Sequence, residues 1–288
     1  MERITVLFYT NETYLPIANL SIDEFNKFSK DLNIQKILVS NKFLENDNLP
    51  YEDFIKVESD VELRSDTRHF AKVVLKGLER VQTKYVLFLL DDTLIINNIK
   101  KDSLDGVLNF MDGEEIDHLS LMSYGHNWEI VDADYKKYGM PDDYIFKTPN
   151  SYVHMFSLQP SIWKTTSFIE MMEHNIDISI KEFDISHFKN KKGQIRGGAN
   201  GDGHIDTPND FWDYGFKHCC FKRYFENTPF PFDDRPEEGN YFLFLWNESI
   251  VGGKFNVNRH NNCRQHILKF LEEKGITKEH EIYGKYII

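Results

Sequence analysis

The chain has 288 residues, 41% hydrophobic and 28% charged, with a formal net charge of −12. That length supports a sizeable core in one large α/β domain or two small ones, and the composition is that of an ordinary globular protein. The acidic balance excludes a general nucleic-acid binder, which needs a clustered cationic face, and no stretch approaches the ~20 apolar residues of a transmembrane helix.

The chain opens on a strand-like run, RITVLFYT (3–10), without the charged segment and long apolar stretch of a secretory leader. Further strand-like runs are QKILVSN (35–41), DFIKVES (53–59) and YVLFLL (85–90). Their apolar residues are nearly continuous, as in strands covered on both faces of a parallel sheet. Between them, 17–32 carries Ile17, Leu20, Phe25, Phe28 and Leu32 near helical spacing, and 66–82 carries Phe70, Val73, Val74, Leu78 and Val81, with Asp66 placed to cap it. Alternating strands and helices predict βαβ crossovers and a Rossmann-like first half, 1–100.

The second half, 101–288, is less regular, and the simplest partition is one domain over 1–288. A strand is expected at HLSLMSY (118–124), another at YVHMFS (152–157), and a helix over 160–174 with Pro160 near its start. The aromatics of 126–150 are read as packing first and as a sugar-stacking surface second. Residues 189–209 hold five glycines and predict a loop, within which KNKK (189–192) and Arg196 read as a solvated basic run. The tail offers a strand at YFLFLW (241–246), a glycine turn at GGK (252–254) and a closing helix near 262–274. Cys219, Cys220 and Cys263 cannot all pair and lack zinc-type spacing. Buried thiols in a reducing compartment are therefore expected, and with them a cytoplasmic location.

The chemistry concentrates in YVLFLLDDTLI (85–95), where an apolar run ends in two carboxylates and a threonine. Set against the DxDxT signature of haloacid-dehalogenase-type phosphohydrolases, Asp91 and Thr93 align, but Leu89 falls where the nucleophile must be. A leucine cannot attack phosphorus, so the covalent step is missing. The other reading needs no nucleophile: carboxylates at the end of a central strand hold a divalent cation that neutralises a diphosphate. Adjacent carboxylates would be costly to bury uncompensated, which favours this reading over simple capping of the next segment.

The opening strand, Arg68, YVLFLLDD (85–92), SLQPSIWK (157–164) and, more loosely, IVGGKFN (250–256) resemble GT-A-fold nucleotide-sugar glycosyltransferases, of the inverting kind related to family 2 and to small bacterial and viral sugar transferases. The resemblance implies an α/β GT-A fold and transfer of a sugar from a nucleoside diphosphate, with a UDP-sugar as the expected donor, to a hydroxyl of a glycan or carrier-linked acceptor. It implies a Mn²⁺ or Mg²⁺ cofactor on Asp92 and Asp91, with Asp91 turned to the ribose. Thr10, Asn11 and Glu12 would line the base and ribose. Ser40 and Asn41 stand where many relatives place an Asp against the uracil, and Glu58 or Asp60 would contact the base instead. Arg68 and Lys254 would approach the diphosphate.

An inverting transferase also needs a base for the acceptor hydroxyl. The resemblance places it in KEFDIS (181–186), with Asp184 first and Glu182 second. Surface acids on an amphipathic helix are the plain alternative. NGDGHID (200–206) resembles the middle of an EF-hand loop but lacks its outer ligands, and a loop closing over the donor is the stronger functional reading. His204 or His260 could join the metal, although His187, His204, His218 and His260 show no paired ligand spacing. A nucleotidyltransferase is disfavoured because no glycine-rich phosphate loop follows the first strand. A retaining transferase, and a binding module on the same fold without turnover, remain the alternatives.

Overall fold

A computed structural model describes residues 3–43, 53–61, 67–91, 93–95, 98–124, 129–140, 145–147, 160–181, 217–222, 246–247, 250–251, 254–255, 268–277 and 279. Its centre is an eight-stranded sheet. The strands that position the candidate site are β1 (Ile4–Tyr9), β2 (Gln35–Ser40), β3 (Ile55–Glu58) and β4 (Tyr85–Leu90). They are joined by helices α1 (Leu15–Phe28), after β1, and α2 (Thr67–Leu78), before β4. The chain continues through β5 (Leu94–Ile95), α3 (Lys101–Gly113), β6 (His118–Tyr124), β7 (Ile145–Lys147), β8 (Ser161–Lys164), α4 (Thr165–Lys181) and β9 (His218–Lys222).

The sheet order is β3-β2-β1-β4-β8-β6-β9-β7. The first four strands are mutually parallel. β8 runs against both β4 and β6, β9 runs with β6, and β7 runs against β9. The expected α/β class with a mainly parallel sheet is thus observed, its first half wholly parallel and its second half mixed. Strands from both halves share this one sheet.

Period-two alternation divides the core into two layers. Ile4, Val6 and Phe8 of β1 and Tyr85, Leu87 and Leu89 of β4 pack with α1 and α3. Leu7 of β1 and Val86 and Phe88 of β4 face α2 and α4 on the other side. Because both faces are covered, the strand sequences read as unbroken apolar runs rather than alternating ones. Gly77 lets α2 approach closely: a Cβ there would lie 2.7 Å from Leu7 Cδ1 and 3.2 Å from Val39 Cβ.

Several boundaries depart from the sequence reading. The helix expected over 160–174 begins only at Thr165, and Ser161–Lys164 form β8 instead. Trp163 explains the change: it is fully buried, stacks on Phe168 at 5.0 Å and donates from Nε1 to Ser161 Oγ at 3.0 Å. A strand between β4 and β6 lets it reach that layer, which outweighs the helix-start preference of Pro160. α1 starts at Leu15 and ends at Phe28, so Leu32 reaches the core from outside the helix. α2 ends at Leu78, followed by tight turns from Arg80 N to Gly77 O and Val81 N to Leu78 O, both 3.0 Å.

Tyr135 and Tyr138, from the aromatic stretch, are buried around Phe110, which supports the packing reading for both. Cys219 is a buried free thiol, as expected, and burial pushes its pKa up to about 12. In the tail, β10 (Trp246–Asn247) pairs with β5, and β11 (Ile250–Val251) pairs antiparallel with β12 (Lys254–Phe255). Residues 268–273 are helical. The strand expected at 152–157, the loop over 189–209, His187, His204, His260 and the capping role of Asp66 lie outside the described residues. Among the described residues, no helix is long and apolar enough to cross a membrane.

Candidate functional site

In the order β3-β2-β1-β4, the chain leaves β1 toward β2 and β3 and then returns to the opposite side of β1 as β4. Strand order therefore reverses between β1 and β4. In open α/β sheets the crevice outside the carboxyl ends at such a reversal is the usual ligand site, because the flanking connections diverge there.

The residues at this point are joined by hydrogen bonds. Thr10, fully buried just past β1, donates from Oγ1 to Asp91 Oδ2 at 2.8 Å. The Asp91 amide extends the ladder by donating to Tyr9 O at 3.1 Å. Leu90 O accepts from Thr93 N at 3.0 Å, closing a turn whose first corner is Asp91. The buried Thr93 hydroxyl accepts from Leu90 N at 3.4 Å on the same turn. Tyr9, beside this carboxylate, has its phenol pKa raised by burial and then by the Asp91 charge, which keeps it a neutral donor.

The remaining expected residues spread along the same edge. Asn11 opens a turn, its Oδ1 accepting from Thr13 N and its carbonyl from Tyr14 N, both 2.9 Å. Glu12 donates its amide to Asn41 Oδ1 at 2.9 Å, fastening the end of β1 to the end of β2. Ser40 is buried and its hydroxyl donates to Lys42 O at 2.9 Å, so it shapes its own loop. The Glu58 carboxylate accepts from Phe43 N at 2.9 Å. Asp60 is exposed in the left-handed region at φ 52°, a conformation aspartate tolerates better than most residues. β3 lies three strand spacings from β4, about 14 Å, so Glu58 and Asp60 belong to the far end of the edge.

Arg68 falls in the first turn of α2, and its side chain lies outside the described residues. Lys254, expected within the glycine turn, begins β12 opposite Val251. Asp92, Glu182 and Asp184 lie outside the described residues. Among the described residues, no three His, Cys, Asp or Glu side chains group as a metal cage.

Sequence reasoning placed Asn41 beside Ser40 at the end of the second strand but missed Tyr9 and Ser21 as parts of this edge. Ser21 sits on the buried face of α1 and donates from Oγ to the Asp91 carbonyl. Its signal was present: a hydroxyl within an apolar helical stripe, flanked by Ala18, Ile22 and Phe25, must find a partner when buried.

No protein-family model and no characterised protein sequence matches the chain. Among solved structures, TarS of S. aureus in complex with UDP aligns over 59% of this chain and 49% of its own length, at 17% identity and TM-score 0.38. The mannosyltransferase of Pyrobaculum calidifontis in complex with GDP-Man and Mn²⁺ aligns over 59% and 46%, at 13% identity and TM-score 0.38. An active-site mutant of LgtC aligns over 74% and 70%, at 15% identity and TM-score 0.38. The aligned region spans about half the length of the first two structures. Likeness of this order assigns no family.

Proposed function

We propose that the chain is a glycosyltransferase that moves a sugar from a nucleoside diphosphate to a hydroxyl of a glycan or carrier-linked acceptor. One observation carries the reading: the Asp91 carboxylate is held by Thr10 at 2.8 Å where the strand order reverses between β1 and β4. A carboxylate at that crevice is suited to a ribose hydroxyl or to a cation shared with phosphates.

The donor set fits a hard divalent ion. Asp91 supplies carboxylate oxygens, and Mg²⁺-type sites need one or two protein carboxylates because substrate phosphates complete the shell. Asp91 and Asp92 would hold Mn²⁺ or Mg²⁺. When bound, the ion supplies positive charge that neutralises the departing diphosphate.

The chain's own residues account for the other tasks. Thr10, Asn11 and Glu12 shape the ribose end of the crevice, while Ser40, Glu58 and Asp60 stand toward the base. Arg68 and Lys254 add cationic charge for the diphosphate. Asp184, or failing it Glu182, takes the proton from the acceptor hydroxyl. The acceptor oxygen then bonds the anomeric carbon from the face opposite the leaving group as the bond to diphosphate oxygen breaks, which inverts the configuration. The chain acts as one domain, with 1–100 binding the donor and 101–288 the acceptor.

A thermal-shift screen of UDP- and GDP-sugars with and without Mn²⁺, followed by donor-hydrolysis assays, tests the reading. Stabilisation that requires Mn²⁺ and is lost in Asp92→Ala is expected, with Asp184→Asn retaining binding but losing transfer. If no nucleoside diphosphate stabilises the protein, the reading is wrong. Binding without turnover on any acceptor would make the chain a sugar-nucleotide-binding module.

A further inference from the structure

Ser21 is fully buried in the middle of α1, yet its hydroxyl is spent on the backbone of a residue 70 positions away. Asp91 is consequently fixed by both of its main-chain groups. Its amide donates to Tyr9 O, its carbonyl accepts from Ser21, and its carboxylate accepts from Thr10. β1, α1 and β4 thus meet on one residue, and the Leu90–Thr93 turn cannot tilt without breaking a bond to another element.

The helix that supplies Ser21 is itself braced one turn later. Glu24, 5% exposed, pairs with Lys27 at 3.3 Å and with Lys274 of the C-terminal segment at 3.3 Å. Lys274 also bonds Asp23. Partly buried pairs of this kind cost most when one partner is left alone, so α1 is held against sliding along the sheet at the turn following Ser21.

We propose that Ser21 is a positioning residue for Asp91, setting from α1 the direction in which the turn presents its carboxylate to a metal-bound nucleoside diphosphate. This rests on the reading of the β1/β4 crevice as a nucleotide-sugar site. Ser21 itself touches no ligand. Partners that orient a metal-binding carboxylate typically change metal affinity by about 10- to 100-fold when removed. A hydroxyl acting on the adjacent carbonyl belongs at the lower end of that range.

The test is calorimetric titration of UDP and of GDP, each with and without Mn²⁺, into wild-type protein, Ser21→Ala, Ser21→Thr and Phe25→Leu. Phe25→Leu loosens the same helix face without touching Asp91. Ser21→Ala should weaken Mn²⁺-dependent nucleotide affinity about tenfold and leave Mn²⁺-independent affinity unchanged. Ser21→Thr, which keeps the hydroxyl, should recover most of the loss, and Phe25→Leu should not reproduce it. Equal losses in Ser21→Ala and Phe25→Leu, or losses with and without Mn²⁺ alike, would show a purely structural serine and overturn the proposal. Wild-type binding that Ser21→Ala leaves intact would overturn it while sparing the functional reading. If wild-type protein binds neither nucleotide, both fall together.

Discussion

Replacing Thr10 by valine keeps the branched shape of a fully buried side chain but deletes the hydroxyl that bonds Asp91 Oδ2 at 2.8 Å. Hydrogen bonds to charged groups contribute about 1.5–3 kcal/mol. Asp91 is only partly buried, so water can replace part of this bond, and a coupling of about 1–2 kcal/mol is expected. The second contact of the hydroxyl, to Asn11 O at 3.4 Å, is too long to add much. The assay is a double-mutant cycle of Thr10→Val, Asp91→Ala and the pair, read by urea unfolding. The cycle removes the transfer contribution of each substitution and leaves the interaction between them. A coupling below about 0.5 kcal/mol, the range seen for independent sites, would refute the claim that this bond organises the crevice.

Gly77→Ala gains about 1 kcal/mol in helix propensity but forces a Cβ to 2.7 Å from Leu7 Cδ1 and 3.2 Å from Val39 Cβ. Overpacking of about 1–3 kcal/mol should prevail and lower the thermal midpoint; a raised midpoint would show that Leu7 turns aside freely. At Asp112, burial alone would raise the carboxyl pKa. The hydrogen bonds from Lys84, Tyr85 and Arg3 outweigh it and hold the group below its ordinary value. A depressed carboxyl stabilises fully above its unfolded pKa, about 3.9, and that contribution disappears as pH falls through the folded pKa. Asp112→Asn should therefore flatten the acid limb of the stability curve below about pH 4; an unchanged limb counts against these bonds. The Cys219 thiol, pushed up to about 12, is almost wholly protonated at pH 8. In a Cys220→Ser/Cys263→Ser background, alkylation at that pH should wait for unfolding, and rapid native-state labelling would contradict the burial.

The sequence made the parallel half legible because its strands are covered on both faces. YVLFLL (85–90) matches β4 residue for residue, and in the mixed half HLSLMSY (118–124) does the same for β6. Periodicity failed at PSIWK (160–164), where four strand residues are too few to distinguish a buried strand from a first helical turn. What decides there is the slot between β4 and β6 that Trp163 fills, a long-range fact no local window contains. The site was legible as residue types at strand ends, since chain order alone places Thr10, Ser40, Glu58 and Asp91 on one edge. Their partners were not legible. That Asn41 accepts from Glu12, Glu58 from Phe43 and Asp91 from Thr10 depends on register between strands, which apolar runs do not encode. Glu24 and Ser21 were the exceptions available to local reading, being polar residues on an apolar helix face.

The register also bears on the phosphatase comparison. Leu89 pairs with Phe8 in the β1–β4 ladder and is fully buried in the layer with α1 and α3. Leu89 fills that packed layer below the strand end, so an aspartate there would lie in the core as an uncompensated charge. Thr93, the other residue that invited the phosphatase comparison, bonds the Leu90 backbone by both its amide and its hydroxyl. The threonine closes a turn, the leucine fills a core, and Asp91 is the described carboxylate of that motif at the mouth of the β1/β4 reversal. Thr10 holds its carboxylate and Ser21 its carbonyl, so both its side chain and its backbone are tied to neighbouring elements.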